Sequence, residues 1–208
     1  MTTPAHEAAL DAFLDLAAGK EFAAITLRDV AQAAGLGLAD LYRLYPDKVA
    51  LVAAFMARID AEVLAGTSSQ GDPEETARDR LFDTMMRRYD ALRPHKTALA
   101  SIRAAAVRDP LQMLALGPAL RRSMAAMLEV AGVPSDGLSG ALRQNGLLAL
   151  HVAVSRVFDQ DDTGDLSKTM SALDGRLKTA EKWIQLVDKY VKKHDLKRAT
   201  QEAESPAS

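Results

Sequence analysis

Apolar residues recur along this chain every three or four positions, in blocks separated by short polar breaks that carry Gly or Pro. That spacing puts them on one face of a helix, and no stretch alternates as a half-buried strand would. Leu10, Phe13, Leu14 and Ala17 predict a helix over 5–18, stopped by Gly19. Leu27, Val30 and Ala31 predict a second helix, opened by Thr26 and Asp29 in the Ser/Thr-x-x-Asp/Glu capping pattern and ended at Gly35. Leu38, Leu41, Tyr42 and Tyr45 form the apolar side of a short third helix, and Pro46 stops it. Leu51, Phe55, Ile59 and Val63 then run along a long helix over 47–65.

The polar stretch 66–72 reads as a loop and a domain boundary. Pro73, at a first helical position with Glu74 and Glu75 after it, predicts a helix over 73–92. Pro94 opens another over 94–108, and Asp109-Pro110 and Gly117-Pro118 punctuate the chain beyond it. Further helices are predicted over 118–131 and over 140–158, the latter apolar on most sides and so buried on two faces. An acidic loop, 159–165, leads into a last helix from 166 past 193, and the tail 199–208 frays. The prediction is an all-α protein of about nine helices, with a small N-terminal unit and a larger C-terminal bundle.

Composition narrows the chemistry. Of the 208 residues 48% are hydrophobic and only 5% aromatic, a mix that favours helices. The absence of cysteine removes disulfides, thiolate nucleophiles and thiolate metal sites. No apolar run reaches the roughly 18 residues of a membrane span. The N-terminus has no basic start followed by an apolar block, so a soluble cytoplasmic protein is expected. His6, His95, His151 and His194 show no metal-ligand spacing, and no catalytic constellation occurs. Asp159, Asp161, Asp162 and Asp165 suggest a calcium loop, but Met170 stands where the bidentate Glu is needed. A solvated loop, with Asp165 or Ser167 capping the next helix, is expected instead. The sequence thus predicts no cofactor, no metal and no enzyme.

Residues 26–48 make two short helices joined by a Gly-containing turn, a helix-turn-helix, the unit that lays its second helix in the DNA major groove. Thr26-Leu27-Arg28-Asp29-Val30-Ala31, Ala34-Gly35-Leu36, Leu41-Tyr42 and Tyr45-Pro46-Asp47-Lys48, with Leu51 following, carry a resemblance. Over residues 5–66 the chain resembles the DNA-binding domain of the TetR family of transcriptional regulators. The resemblance implies an all-helical homodimer, paired through the helices near 138–158 and 166–190. Residues 1–48 would bind a double-stranded DNA operator, 49–198 would bind ligand and dimerise, and 199–208 would form a flexible tail. It also implies phosphate contacts from Thr26, Tyr42 and Lys48, and a groove-facing stretch of Gly37, Leu38, Ala39, Asp40 and Tyr42, flanked by Arg28 and Arg43. A hydroxyl, a phenol and an ammonium near helix N-termini suit phosphate oxygens.

Two features pull against a plain DNA reader. Gly37, Leu38, Ala39 and Asp40 stand where relatives commonly carry hydroxyl and basic residues. Residues 1–60 hold five Lys/Arg against eight Asp/Glu, a net of −3, although DNA affinity comes largely from neutralised phosphates. The C-terminal part, through Arg93-Pro94-His95-Lys96, Val157-Phe158 and Leu173-Asp174-Gly175-Arg176-Leu177, resembles ubiquinone-biosynthesis accessory proteins that use a TetR-like fold to bind isoprenoid lipid. Trp183, Ile184, Val187, Tyr190 and Val191 form one apolar stripe, and residues 176–198 carry eight basic side chains against three acidic. Such a helix over 183–198 either lies on an anionic membrane surface or packs on its own bundle. Phe82, Met85, Met86, Met113, Met124 and Met127 are the candidate lining of an apolar effector pocket, because Met lines adaptable cavities. Few charged pairs are expected there, which favours a hydrophobic ligand.

Overall fold

The computed structural model describes residues 4–66 and 75–181, apart from the side chains of Gln112 and Met113. Among the described residues there is no strand. Helix α1 spans Pro4–Gly19, and a single 3₁₀ turn, Phe22–Ala24, leads to α2, Leu27–Ala33, and α3, Leu38–Leu44. Helix α4, Lys48–Ala65, runs from this N-terminal unit into the body. The body continues with α5, Ala77–Leu92, α6, Lys96–Arg108, the short α7, Pro110–Leu114, α8, Gly117–Val130, and α9, Gly137–Asp159. A last helix, α10, occupies 167–181.

The local signals act as physics demands. Thr26 and Asp29 close the capping box in both directions, Asp29 N–H to Thr26 Oγ1 at 3.1 Å and Thr26 N–H to Asp29 Oδ2 at 2.9 Å. Gly35 adopts φ +67°, the left-handed value that ends α2 at little cost for a residue without Cβ. The opening of α5 differs from expectation: Thr76 caps it through Asp79 N–H, so Glu75 lies before the helix, and Pro73 falls outside the described residues. The helix predicted after Gly117 begins at Gly117 itself, and α9 begins at Gly137. The apolar pattern predicts neither α7 nor the 3₁₀ turns, because three to five residues are too short to show a period. The stripe from Trp183 to Val191 lies outside the described residues.

One continuous core joins the elements, from Phe13, Phe22 and Phe55 through Met85, Met124 and Met127 to Phe158 and Leu173. Polar groups are buried inside it. Arg88 on α5 is 1% exposed and pairs with Asp60 on α4, which also accepts from Ser123 Oγ on α8 at 2.7 Å. Tyr89 lies with its hydroxyl 3.0 Å from His151 Nδ1 and its ring against Phe158. The expected scarcity of charged pairs around the methionines is therefore wrong. Arg88 follows Met85 and precedes Tyr89 and Leu92 on the buried face of α5, so its position in the helix, not its type, decides its burial.

The acidic loop also departs from expectation. It is not simply solvated: Asp159 pairs with Arg103, and the Asp161 side chain is buried. Asp161 Oδ2 accepts from Thr169 N–H and Thr169 Oγ1, both at 2.7 Å, and Oδ1 accepts from Thr163. Burial alone would raise the Asp161 carboxyl, but these hydrogen bonds outweigh it and hold the group well below the usual carboxylate range. Asp165 does meet the expected capping role, accepting from Ser167 N–H at 3.1 Å.

The buried polar groups set how this fold responds to mutation and to acid. Asp60→Ala leaves the Arg88 guanidinium buried without its anion, and should lower unfolding free energy by about 3–5 kcal/mol in a urea titration. Burial first, then the charges of Arg88 and Arg103, push the His151 imidazole down to about 3. The unfolded histidine takes its proton near ~6.5. Its contribution is thus complete above that pH and is lost as pH falls toward the folded value. The loss should approach ~1.4 kcal/mol per pH unit, and His151→Gln should remove that part of the acid slope.

Candidate nucleic-acid interface

The N-terminal unit presents α3 on the molecular surface. Leu41 is 0% exposed and Tyr45 6%, and these two fix α3 against the core. Leu38 and Tyr42, expected on the same apolar side, instead face solvent at 40% and 59% exposure. At about 100° per residue, Leu41 and Tyr45 lie on one flank of this stripe and Leu38 and Tyr42 on the other, and only the first flank meets the core. Tyr45 is held further by His6, whose Nδ1 lies 3.0 Å from the phenol oxygen, and burial raises the Tyr45 phenol above its ordinary value.

A shallow, open depression lies along this surface, lined by Leu27, Arg28, Leu38, Ala39, Tyr42 and Arg43. All of these except Leu27 are expected contact residues, and the structure brings them together. Gly37 and Asp40, the other expected residues of this stretch, do not line it; a Cβ on Gly37 would stand 2.9 Å from Asp40 Oδ2. Asp40 forms an ion pair with Arg43, one turn on, and Arg43 Nε reaches the Ala39 carbonyl at 3.4 Å. The basic side chain of this helix is therefore partly neutralised by its own neighbour.

Thr26 and Lys48 are committed to structure. The Thr26 hydroxyl donates to Asp29 Oδ2 at 2.9 Å while accepting from Asp29 N–H. The Thr26 backbone N–H bond to Asp29 Oδ2, and after it the hydroxyl bond, hold the Asp29 carboxyl below its ordinary value. Lys48 Nζ donates to the carbonyls of Phe22 at 2.8 Å and Ala23 at 3.4 Å, and lies 4.6 Å from the Phe22 ring centroid. Burial lowers its ammonium from the ordinary lysine value. An ammonium has three donors, so one remains for a phosphate.

The same turn is held from the other side by a residue that sequence reasoning missed. Ser101 Oγ on α6 accepts from Phe22 N–H at 2.9 Å and donates to the Lys20 carbonyl at 3.0 Å. Arg108, at the end of α6, pairs with Glu21 at 2.8 Å. No local pattern marks a lone serine on a helix, and its partners lie some eighty positions away.

Of the candidate pocket residues, Met85, Met124 and Met127 are each 0% exposed, Met86 is buried and Phe82 partly buried against the same core. The Met113 side chain lies outside the described residues.

No protein-family model matches the chain, and no curated protein matches it by sequence. Solved structures do share its architecture. The TetR transcriptional regulator from Nitrosomonas europaea ATCC 19718 superposes with a TM-score of 0.68 at 20% identity, covering 86% of this chain and 99% of that one. A TetR transcriptional regulator from Rhodococcus sp. RHA1 gives 0.59 at 23% identity, over 85% of this chain and 94% of its own. The chain has the TetR-like fold.

If Asp40 holds Arg43 away from phosphates, Asp40→Asn should raise affinity for any duplex at low salt. The slope of log K against log salt should steepen by about 0.9, the value of one added phosphate contact. A fluorescence-anisotropy titration at several salt concentrations reads both.

Proposed function

We propose that this chain is a DNA-binding transcriptional regulator of TetR type, acting as a homodimeric repressor that an apolar small molecule controls. One observation carries the reading: in a TetR-like fold, α3 is pinned by Leu41 and Tyr45 while Leu38, Ala39, Tyr42 and Arg43 stay on the surface. Such a helix is positioned as a major-groove reader. Residues 1–48 form the reading head, 49–198 the effector and dimer unit, and 199–208 a tail. Two heads on a dimer meet half-sites about one helical turn apart.

The dimer has support in the exposed apolar residues of α9. Leu138, Leu142 and Val152 are 82%, 67% and 47% exposed, and Met170 on α10 is 41% exposed. Pairing these faces with a second copy would remove them from water. The effector would enter between α5 and α8, displacing Met side chains that adapt their shape. It weakens DNA binding to the extent that it prefers the conformation unable to bind. The two solved structures compared above are regulators by their own descriptions, which favours this reading over a lipid-binding accessory protein. No helix among the described residues is long and apolar enough to cross a membrane.

The test is a salt-resolved titration of the full-length chain against the promoter region beside its own coding sequence. Sequence-selective binding with a steep salt slope is expected; no binding at low salt by an intact dimer would remove the reading. Tyr42→Phe and Lys48→Met should each weaken binding to all duplexes, with the Lys48 slope falling by about 0.9. Lys48→Met should also lower stability by about 1–2 kcal/mol, through the lost bonds to the turn. An unchanged salt slope with lowered stability would make Lys48 a brace alone.

A further inference from the structure

We infer that the reading face selects DNA through thymine methyl groups, so that its half-sites are built on A·T pairs contacted by Leu38, Ala39 and Tyr42. This rests on the regulator reading and specifies what that surface recognises.

Each base pair shows the major groove a set of donors and acceptors, and thymine alone adds an apolar group, its C5-methyl. Polar readers are bidentate: Arg or Lys on guanine, Asn or Gln on adenine. Helix α3 carries no Asn, Gln, Lys, Ser or Thr. Its one arginine, Arg43, is paired with Asp40 and reaches the Ala39 carbonyl. Asp40, the group able to accept from cytosine N4, has its Oδ1 engaged by that same arginine. What α3 and its neighbour offer a base edge is the open apolar depression between Leu27, Leu38, Ala39 and Tyr42.

The exposure of these side chains fits that use. Leu38 at 40% and Tyr42 at 59% stand out from a helix whose Leu41 is fully buried. Arg28 is exposed and lines the same depression, opposite in sign to the phosphates that border a groove. Apolar side chains with a cation beside them match thymine methyls on the groove floor and phosphates at its walls.

The experiment uses the full-length protein and short random-sequence duplexes enriched on it at low salt. The enriched duplex is resynthesised with deoxyuridine for thymidine, which removes the methyl and leaves every hydrogen-bonding group. A·T-rich half-sites are expected, and each contacted methyl removed should weaken binding about fourfold, as for one buried methyl-sized group. Replacing a contacted T·A pair by 5-methylcytosine·G, which keeps the methyl, should cost less than replacing it by C·G. In Leu38→Ser, whose wild-type side chain is partly exposed so that folding is kept, the uridine effect should shrink. Equal affinity of the uridine and thymidine duplexes would overturn the inference and leave the regulator reading intact. So would enrichment of G·C half-sites whose binding Asp40→Asn abolishes, since Asp40 would then read cytosine. Failure to enrich any sequence would overturn both.

Discussion

The backbone between α1 and α2 makes one turn of 3₁₀ helix, and its polar groups are satisfied by side chains from elements far along the chain. Ser101 of α6 takes the Phe22 amide and gives to the Lys20 carbonyl, while Lys48 of α4 gives to the carbonyls of Phe22 and Ala23. Phe22 itself is buried against Phe13. A half-buried turn with unpaired amides would be costly, so these contacts fix where the head sits. The placement of α2 and α3, and with them the reading face, depends on this joint.

The body is organised around a second constraint, the burial of charge. Arg88 and Asp60 tie α5 to α4, Ser123 adds α8, and Tyr89 with His151 brings in α9. A buried pair of this kind adds little net stability over a well-packed apolar core, but it penalises any arrangement that separates the partners. Arg88 Nε is buried with no hydrogen-bond partner, so the cluster is not fully satisfied. Because α4 also starts at Lys48, movement at Asp60 and movement at the joint belong to one rigid rod.

The sequence shows local features well and distant ones badly. The Thr26–Asp29 box and the left-handed Gly35 are written in neighbouring letters, and the structure has both. The apolar period along α4 is as legible: Leu51, Phe55, Ile59 and Val63 are all buried. The face of α3 is readable only in part, since a short helix does not reveal which half of a wide stripe meets the core. Lys48 reads as a phosphate contact, and its hold on two carbonyls is hidden because they lie 25 and 26 positions away. Four aspartates in one loop give no hint that Asp161 turns inward, although Thr169, placed to receive it, begins the buried side of α10. Arg88 is detectable in principle, since Met85, Tyr89 and Leu92 bracket it at helical steps.

The Ser101 hydroxyl accepts and donates in the same contact, and so gives one proton in the molecule a particular kinetic meaning. The Phe22 amide is hydrogen-bonded to a side chain of α6 and to nothing in its own helix. It can trade its hydrogen with water only after the bond to Ser101 opens, so its exchange rate reports how often the contact between α6 and the head is broken.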